Sequence, residues 1–276
     1  MYINSLIIEV TRKCNAKCEH CLRGPAQNCD IDTKYIDKLL DDVTGIRSIT
    51  FSGGEPSLNI KAIRHTYNEI VKRNIQVNDI FVVTNAKKYS LGLVRIMNDW
   101  FKYCFNNNNY SYSEIDSKDI EEMKKQKEYC GEFYNQNVED YLSECSFGLS
   151  ISIDDFHPEA DNKALRIYKT LPYYSNAKDQ SKNNSFKYNL INEGNAKKNG
   201  IGARNRHLST SFYVEEYSDE EKSVDMVYLN AKGYILPECD YSYKSQRIQG
   251  KGRNIMESSL EDIILKEVKI EAKEIA

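Results

Sequence analysis

The sequence predicts an α/β fold built on a parallel sheet. Strand-like and helix-like segments alternate through its first half, a pattern typical of parallel strands covered by helices. A chain of 276 residues can bury a sizeable core, and one α/β domain of this length is ordinary. Periodicity alone leaves two architectures open, a (β/α) barrel and an open doubly wound sheet.

Three strands and three helices are predicted in the first half. The strands cover residues 3–10, 48–52 and 79–84. Apolar residues at helical spacing predict a helix after each strand. These residues are Ile36, Leu39, Leu40 and Val43 in the first helix, Ile63, Tyr67, Ile70 and Val71 in the second, and Leu91, Val94, Met97 and Phe101 in the third. Asp32 or Thr33 is the candidate N-cap of the first helix, because its side-chain oxygen can accept from a free backbone N–H.

The strand signals continue more weakly in the second half. Residues 147–153 predict a fourth strand, and 186–191 and 225–229 are candidates for the fifth and sixth. The segment at about 104–146 interrupts the alternation of strands and helices, and it is too long for an ordinary connection between a helix and a strand. Two interpretations stay open for it, a helical surface decoration and a lid over the substrate.

The end of the chain predicts a small extension. Residues 227–240 have the pattern of a hairpin with Lys232-Gly233 at its turn. Ile263, Ile264 and Val268 then predict an amphipathic closing helix.

Polar, loop-forming residues follow each strong strand. The cysteines near the N-terminus, the run 53–56, Thr84-Asn85 and Asp154-Asp155 all stand directly after a strand. In a parallel barrel the loops at the carboxyl ends of the strands gather around one mouth. We therefore expect these sequence-distant residues to meet in space.

Three cysteines give the strongest chemical signal. Cys14, Cys18 and Cys21 have the spacing C-x3-C-x2-C on one loop. Three thiolates can hold three irons of a 4Fe–4S cluster and leave the fourth iron open to a substrate or cofactor. The alternative is a zinc site, with Cys29 or His20 as the fourth ligand.

The cysteine spacing and the run Gly53-Gly54-Glu55-Pro56 together resemble the radical SAM (S-adenosylmethionine) superfamily. The resemblance implies a partial (β/α)6 TIM-like barrel over residues 1–224 and a short hairpin-plus-helix extension over 225–276. It also implies a radical SAM enzyme with one 4Fe–4S cluster on the three cysteines. A ferredoxin- or flavodoxin-like electron donor would reduce the cluster, SAM would be cleaved to a deoxyadenosyl radical, and that radical would abstract a substrate hydrogen.

The resemblance also assigns a role to the glycine run. Gly53, Gly54 and Glu55 match the motif that accepts the ammonium group of SAM, and a residue without Cβ lets backbone carbonyls approach a ligand closely. Pro56 fixes the turn and cannot extend the strand. The alternative is a plain strand-to-helix turn with a carboxylate at the helix start.

Further cofactor contacts are implied at the strand ends. Asn85, Ser152 and Asp154 are candidate partners of the SAM ribose, although Asn85 also suits a turn and Asp154 a helix N-cap. Arg204 is the candidate partner of the SAM carboxylate. Neighbouring Arg206 could take that role instead, and a basic surface loop is the other alternative.

The tail resembles that of one class of radical SAM enzymes. Residues 227–240 and 254–260 are similar to the stretches that open and close the cysteine-rich tail of peptide-modifying members. Here only Cys239 is present, and one thiolate cannot hold an auxiliary cluster. We expect a single cluster and a ribosomal peptide as substrate, with a small metabolite or nucleotide as the alternative. A non-catalytic zinc or iron–sulfur binding module is the alternative from a different class.

Composition narrows the environment and the partners. The formal net charge of −3 gives no global attraction to nucleic acid or membrane lipid, so neither is an expected partner. The chain opens with no signal-peptide core and has no apolar stretch long enough to span a bilayer. Cluster thiolates need a reducing compartment, so a cytoplasmic location is expected. The five other cysteines are then free or buried thiols: Cys29, Cys104, Cys130, Cys145 and Cys239.

Overall fold

The fold is that of a computed structural model, which describes residues 1–108, 141–178, 190–205, 208–216 and 222–266. The strands are β1 Tyr2–Thr11, β2 Gly45–Gly53, β3 Gln76–Thr84, β4 Gly148–Ile151, β5 Tyr174–Ser175, β6 Val214–Glu216, β7 Lys222–Leu229 and β8 Ile235–Leu236. The helices are α1 Thr33–Leu40, α2 Ile60–Arg73, α3 Leu91–Asn107, α4 Asn162–Tyr168, α5 Gly194–Lys198 and α6 Tyr243–Gln249. A 3-10 turn covers Pro56–Asn59, and 260–266 is helical.

One open, mostly parallel sheet organises the molecule. Its strand order is β5-β4-β3-β2-β1-β7-β6, and β8 pairs with β7. Strands β1 to β5 and β7 run parallel to their partners, while β6 and β8 are antiparallel to β7. The first five strands follow one another in sequence order, as in a barrel, whereas a doubly wound sheet reverses its order near the middle. The predicted α/β fold is confirmed, and the described sheet is not closed.

The two faces of β1 show how the sheet divides the molecule. Leu6, Ile8 and Val10 are buried in the main core together with residues of α1, α2 and α3. Ile7 points to the opposite face and packs with Tyr228 in a second, smaller cluster. Successive side chains of a strand alternate between faces, so one strand serves both clusters.

Side-chain caps fix the starts of the covering helices. The carboxylate of Asp32 accepts from the backbone N–H of Lys34, which confirms Asp32 rather than Thr33 as the N-cap of α1. Asn59 caps α2 in the same way, and Asn74 ends α2 in the left-handed conformation with φ 53°.

Several predicted elements have different bounds in the structure. Helix α3 continues through Cys104 to Asn107, so the predicted start of the insertion lies inside a helix. Val71 in α2 is 42% exposed and does not join the core. Most of the segment 104–146, together with Cys130, lies outside the described residues. The candidate strand 186–191 lies mostly outside them too, and its last residue, Ile191, forms an isolated bridge with Arg204.

The C-terminal hairpin is confirmed. Tyr228 pairs with Leu236 between β7 and β8, and the N–H of Gly233 donates to the carbonyl of Asn230 at 2.9 Å in the turn. In the closing helix Ile263 and Ile264 are buried, while Val268 lies outside the described residues. Strand β7 also lies beside β1, so this part of the chain shares the main sheet. No helix among the described residues is long and apolar enough to cross a membrane.

Candidate functional site

The three cysteines lie together on the loop that follows β1. All three are free and half-buried. They line two cavities that we call the inner and the outer cavity. The inner cavity, of about 250 Å³, is lined on its other sides by the ends of β2, β3 and β4. The outer cavity, of about 430 Å³, is lined instead by residues 24–26, α5 and Tyr243. The cysteine loop therefore separates a strand-end cavity from a cavity at the molecule's flank.

The separation of the three thiols distinguishes a cluster from a single metal ion. Ligand sulfurs of one zinc ion lie about 3.8 Å apart, given Zn–S bonds of about 2.3 Å. Among the described residues, the groups whose ligand atoms all lie within 4.8 Å of one another do not include Cys14, Cys18 and Cys21. Of the two candidate fourth zinc ligands, Cys29 contacts the carbonyl oxygen of Ala231 at 4.0 Å and lines neither cavity, whereas His20 lines the inner cavity. The donor set therefore fits three corners of a 4Fe–4S cluster better than a zinc ion.

Electrostatics disfavour the thiolate form of these cysteines unless a cation is bound. Burial raises the pKa of the Cys14 thiol, and the charges of Glu55 and the two other cysteines raise it further. Burial likewise raises the pKa of Cys21. Thiolates must therefore be compensated by a cation, which iron supplies.

The glycine run binds the cysteine loop through its backbone. The N–H of Gly54 donates to the carbonyl of Thr11 at 2.8 Å, and that of Glu55 donates to Lys13 at 2.9 Å. A Cβ at Gly53, where φ is +150°, would lie 2.2 Å from the carbonyl oxygen of Thr11. A Cβ at Gly54 would lie 2.3 Å from that of Lys13. Both glycines are required by the close approach of the cysteine loop, whether or not a cofactor is bound.

The carboxylate of Glu55 is buried and holds the end of β3. It accepts from the hydroxyl of Thr84 at 2.7 Å, the N–H of Asn85 at 2.8 Å and the N–H of Ser57 at 3.1 Å. Its side chain is 1% exposed. Glu55 therefore ties the glycine run to the next strand, and its side chain has a structural role.

Asn85 reaches the cysteine loop directly. Its Nδ2 donates to Oδ1 of Asn15 at 2.9 Å and lies 3.7 Å from Sγ of Cys14. Its Oδ1 accepts from the N–H of Lys87, so the predicted turn role is present as well. Ser152 lines the inner cavity with its backbone N–H bonded to the carbonyl of Thr84.

Asp154 and Arg204 do not line the inner cavity. The carboxylate of Asp154 accepts from Nδ1 of His157 at 2.8 Å and from the N–H groups of Phe156 and His157. Burial alone would lower the pKa of His157, but hydrogen bonds to Asp154 and Cys18 raise it to about 9. Arg204 is exposed on its bridge with Ile191 and lies beside neither cavity. Arg206 lies outside the described residues.

The outer side of the cysteine loop is held by residues that sequence reasoning did not assign. The N–H of Asn195 donates to the carbonyl of Cys21 at 2.8 Å, and its Nδ2 donates to that of Cys18 at 3.0 Å. Nδ2 of Asn199 donates to Glu19 at 2.9 Å. Gly194 has φ +55°, and a Cβ there would lie 2.2 Å from the carbonyl oxygen of Leu22. In the sequence, the run Glu193-Gly194-Asn195 was the signal that could have indicated these contacts.

A buried polar network joins the same loop to α6. Arg12 donates to Glu9 at 2.9 Å and to Gln246 at 2.5 Å. Tyr228 donates to the other carboxylate oxygen of Glu9 at 3.0 Å, and Nε2 of Gln246 donates to Tyr228 at 3.1 Å. Because Glu9 and Arg12 are fully paired, their burial is compensated. The C-terminal extension therefore supports the base of the cysteine loop.

Comparisons with known proteins agree with this arrangement. Residues 7–94 match the family model of a 4Fe–4S single cluster domain, a stretch that contains the three cysteines and the glycine run. The chain is 36% identical over 90 residues to the GTP 3',8-cyclase of Clostridium acetobutylicum, which is 30% of this chain and 28% of that protein. Over this segment the chain is therefore similar both to the cluster-domain family and to the cyclase.

Other matches are partial or distant. The probable GTP 3',8-cyclase of Methanococcus vannielii is 29% identical over 142 residues, which cover 45% of this chain and 43% of that protein. The chain therefore spans less than half the length of these relatives. A structure of native anSMEcpe with bound AdoMet and the Cp18Cys peptide is 12% identical, with a TM-score of 0.48 over 95% of this chain and 80% of that one. A TM-score below 0.5 does not establish a shared fold.

Proposed function

We propose that the protein is a radical SAM enzyme with one 4Fe–4S cluster on Cys14, Cys18 and Cys21. The observation that carries the proposal is the set of three thiols that face a cavity at the strand ends and do not all lie within 4.8 Å of one another. Reduced and bound to SAM, such a cluster supplies the electron that cleaves SAM to methionine and a deoxyadenosyl radical. That radical then abstracts a hydrogen atom from the substrate.

The inner cavity is the proposed SAM site. Its lining includes the backbone of Ser52, Gly53 and Gly54, which offers acceptors for the SAM ammonium group. Ser152 offers a hydroxyl to the ribose from the end of β4. The contacts described above give Glu55 and Asn85 a supporting role, in which they fix the cysteine loop against β3. For Asp154 we propose an indirect role, because its carboxylate accepts from His157, which lines the inner cavity. Arg204 is left without a proposed role.

A ribosomal peptide is the proposed substrate. The support is the hairpin of β7 and β8, which resembles the opening of the tail in peptide-modifying members and which the structure contains. A nucleotide is the second candidate, favoured by the two relatives whose names specify GTP. GTP added to the reduced enzyme distinguishes them. Faster deoxyadenosine release with GTP supports the nucleotide, and release that accelerates only with a short peptide encoded beside the gene supports the peptide.

The proposed activity is tested without knowing the substrate. Anaerobically reconstituted protein, dithionite and SAM should release deoxyadenosine slowly. Cys14→Ala should abolish the release, because one iron loses its ligand. The matched control is Cys239→Ala, which removes a thiol that lines neither cavity and should leave the release unchanged. A wild-type protein that holds four irons but neither binds nor cleaves SAM would support the non-catalytic alternative.

A further inference from the structure

A cavity on one flank of the described residues is strongly basic. It measures about 660 Å³ and lies between the loop after Cys21, α5, the β7–β8 turn and α6. Five exposed cations line it, and none of them forms an ion pair with a described carboxylate: Lys197, Lys198, Lys232, Lys244 and Arg247. The only acidic side chain in the lining is Glu193. We call these five side chains the basic surface. A chain of net charge −3 thus concentrates positive charge on one flank.

This surface is continuous with the cysteine loop. The basic cavity shares Gly24, Asn195, Lys198 and Tyr243 with the outer cavity, and the outer cavity is lined by all three cysteines. It shares none of the β2, β3 and β4 ends that line the inner cavity. A partner bound at the basic cavity could therefore approach the cysteines through the outer cavity. The ends of β2, β3 and β4 lie on the other side of the cysteine loop.

Two buried polar groups of the cavity are already bonded within the protein. Arg12 is committed to Glu9, Gln27 and Gln246. Asn230 is committed to Gln246 and to the N–H groups of Lys232 and Tyr234. Small-ligand sites place a few convergent polar groups in the cavity wall. Here five cations without an ion pair to a described carboxylate lie at the exposed rim, where charges steer and orient a macromolecular partner.

We propose that the basic surface docks the acidic electron-donor protein that reduces the cluster. The proposal rests on the proposed function, because only a cluster enzyme needs this partner. An acidic flavoprotein or iron–sulfur protein is the complementary partner, and it would meet the cysteine loop from the side of the outer cavity. On docking, the donor is oxidised by one electron and the cluster is reduced by one electron, with no bond formed or broken.

Charge reversal tests the docking. Lys244→Glu/Arg247→Glu inverts two exposed side chains of α6 that line neither the inner nor the outer cavity. The matched control is Lys61→Glu/Arg95→Glu, which makes the same charge change on exposed positions of α2 and α3. Cluster reduction by a photoreduced acidic flavodoxin is followed by stopped-flow absorbance at low ionic strength. We expect at least tenfold slower reduction in the first variant and less than twofold change in the control.

Two further measurements separate docking from other defects. Reduced methyl viologen, a small cation, should reduce every variant no more slowly than wild type. High salt should slow the flavodoxin reaction of the wild type and narrow the difference between proteins. Lys244→Gln/Arg247→Gln removes the two charges without reversing them and should give an intermediate rate. This milder variant still tests the docking if charge reversal disturbs the fold. Wild-type reduction rates by flavodoxin in both α6 variants, or equal slowing with methyl viologen, would overturn the proposal.

The outcome is independent of SAM chemistry. If docking is correct but the proposed function is wrong, flavodoxin reduces the cluster in a charge-dependent way and no deoxyadenosine forms. If the proposed function is correct but docking is wrong, dithionite supports SAM cleavage and charge reversal leaves the flavodoxin rate unchanged.

Discussion

The cysteine loop is held between two walls of different construction. The inner wall, residues 53–55 with Asn85, contacts it mainly through backbone hydrogen bonds and through glycines that permit close approach. The outer wall, Gly194, Asn195 and Asn199, contacts it with one backbone hydrogen bond and a close-approach glycine, and adds two asparagine side chains that donate to loop carbonyls. The comparison indicates that the first role of residues 53–55 is structural. They fix where the thiols stand, and this placement precedes any contact with SAM.

The largest expected effect is at the inner wall. Gly54→Ala places a Cβ 2.3 Å from the carbonyl oxygen of Lys13, which is backbone and must shift. We expect the metal-free protein to lose about 3 kcal/mol of unfolding free energy, and reconstitution to recover little iron. Denaturant unfolding and iron analysis measure both.

The control for this substitution is Gly92→Ala in α3. Its Cβ would meet only side-chain atoms of Ile60 at 3.4 Å or more, so stability should be unchanged or slightly higher. A Gly54→Ala protein with wild-type stability and full iron would mean that the glycine serves only the cofactor.

Glu55→Gln should have the next largest effect. The amide keeps the shape of the side chain but replaces a carboxylate that accepts three hydrogen bonds, and one NH₂ group then faces donors. We expect a loss of about 2 kcal/mol in urea unfolding. Glu193→Gln is the control, because Glu193 accepts one long bond from Ser245 at 3.3 Å and should cost far less. Equal losses in the two variants would remove the special role of Glu55.

At the outer wall, Asn195→Ala should cost about 1 kcal/mol, since it removes one side-chain hydrogen bond to Cys18. The loop should also release iron faster to a chelator. Asn199→Ala removes a bond on an exposed residue and should have a smaller effect on both readouts. Iron release that is as slow in Asn195→Ala as in the wild type would show that the inner wall alone holds the loop.

The smallest effect concerns pH in the cluster-free protein. The pKa of His157 is raised to about 9 by Asp154 and Cys18, above its ordinary value of 6.5. The protonated imidazole therefore stabilises the fold fully below about pH 6.5, and this contribution is lost as pH rises through 9. The fall in melting temperature between pH 6.5 and 9 should shrink in His157→Gln. It should persist in His65→Gln, where the histidine pairs with Asp37 on the surface. An unchanged fall in His157→Gln would contradict this coupling.

The sequence predicted what depends on local chain order. β1, β2 and β3, the cap Asp32 and the convergence of residues 14–21, 53–55 and 85 follow from periodicity and from the rule that parallel strands end at one edge. The contact of Asn195 with Cys18 joins residues 177 positions apart, and no local pattern encodes such a pairing. An asparagine within a polar run is typical of any loop.

Side-chain direction was the other limit of sequence reasoning. Ser152 and Asp154 stand two positions apart at the same strand end, yet only Ser152 lines the inner cavity. Asp154 turns back to accept from the N–H groups of Phe156 and His157 in a turn, and not as the helix N-cap that was its alternative, because the next helix begins at Asn162. Gly54 was predicted to lie at the site because it lets backbone carbonyls approach a ligand. In the structure the missing Cβ makes room for the carbonyl oxygen of Lys13.

The most direct test of the account is the metal content of anaerobically purified and reconstituted protein. Three thiols at the separation described above should bind a 4Fe–4S cluster, which is about four irons per chain. The protein should then show the broad absorption shoulder typical of such a cluster. Replacing Cys14, Cys18 and Cys21 by alanine should abolish the bound iron. One zinc ion per chain, lost with the same three substitutions and not replaced by iron, would contradict the account.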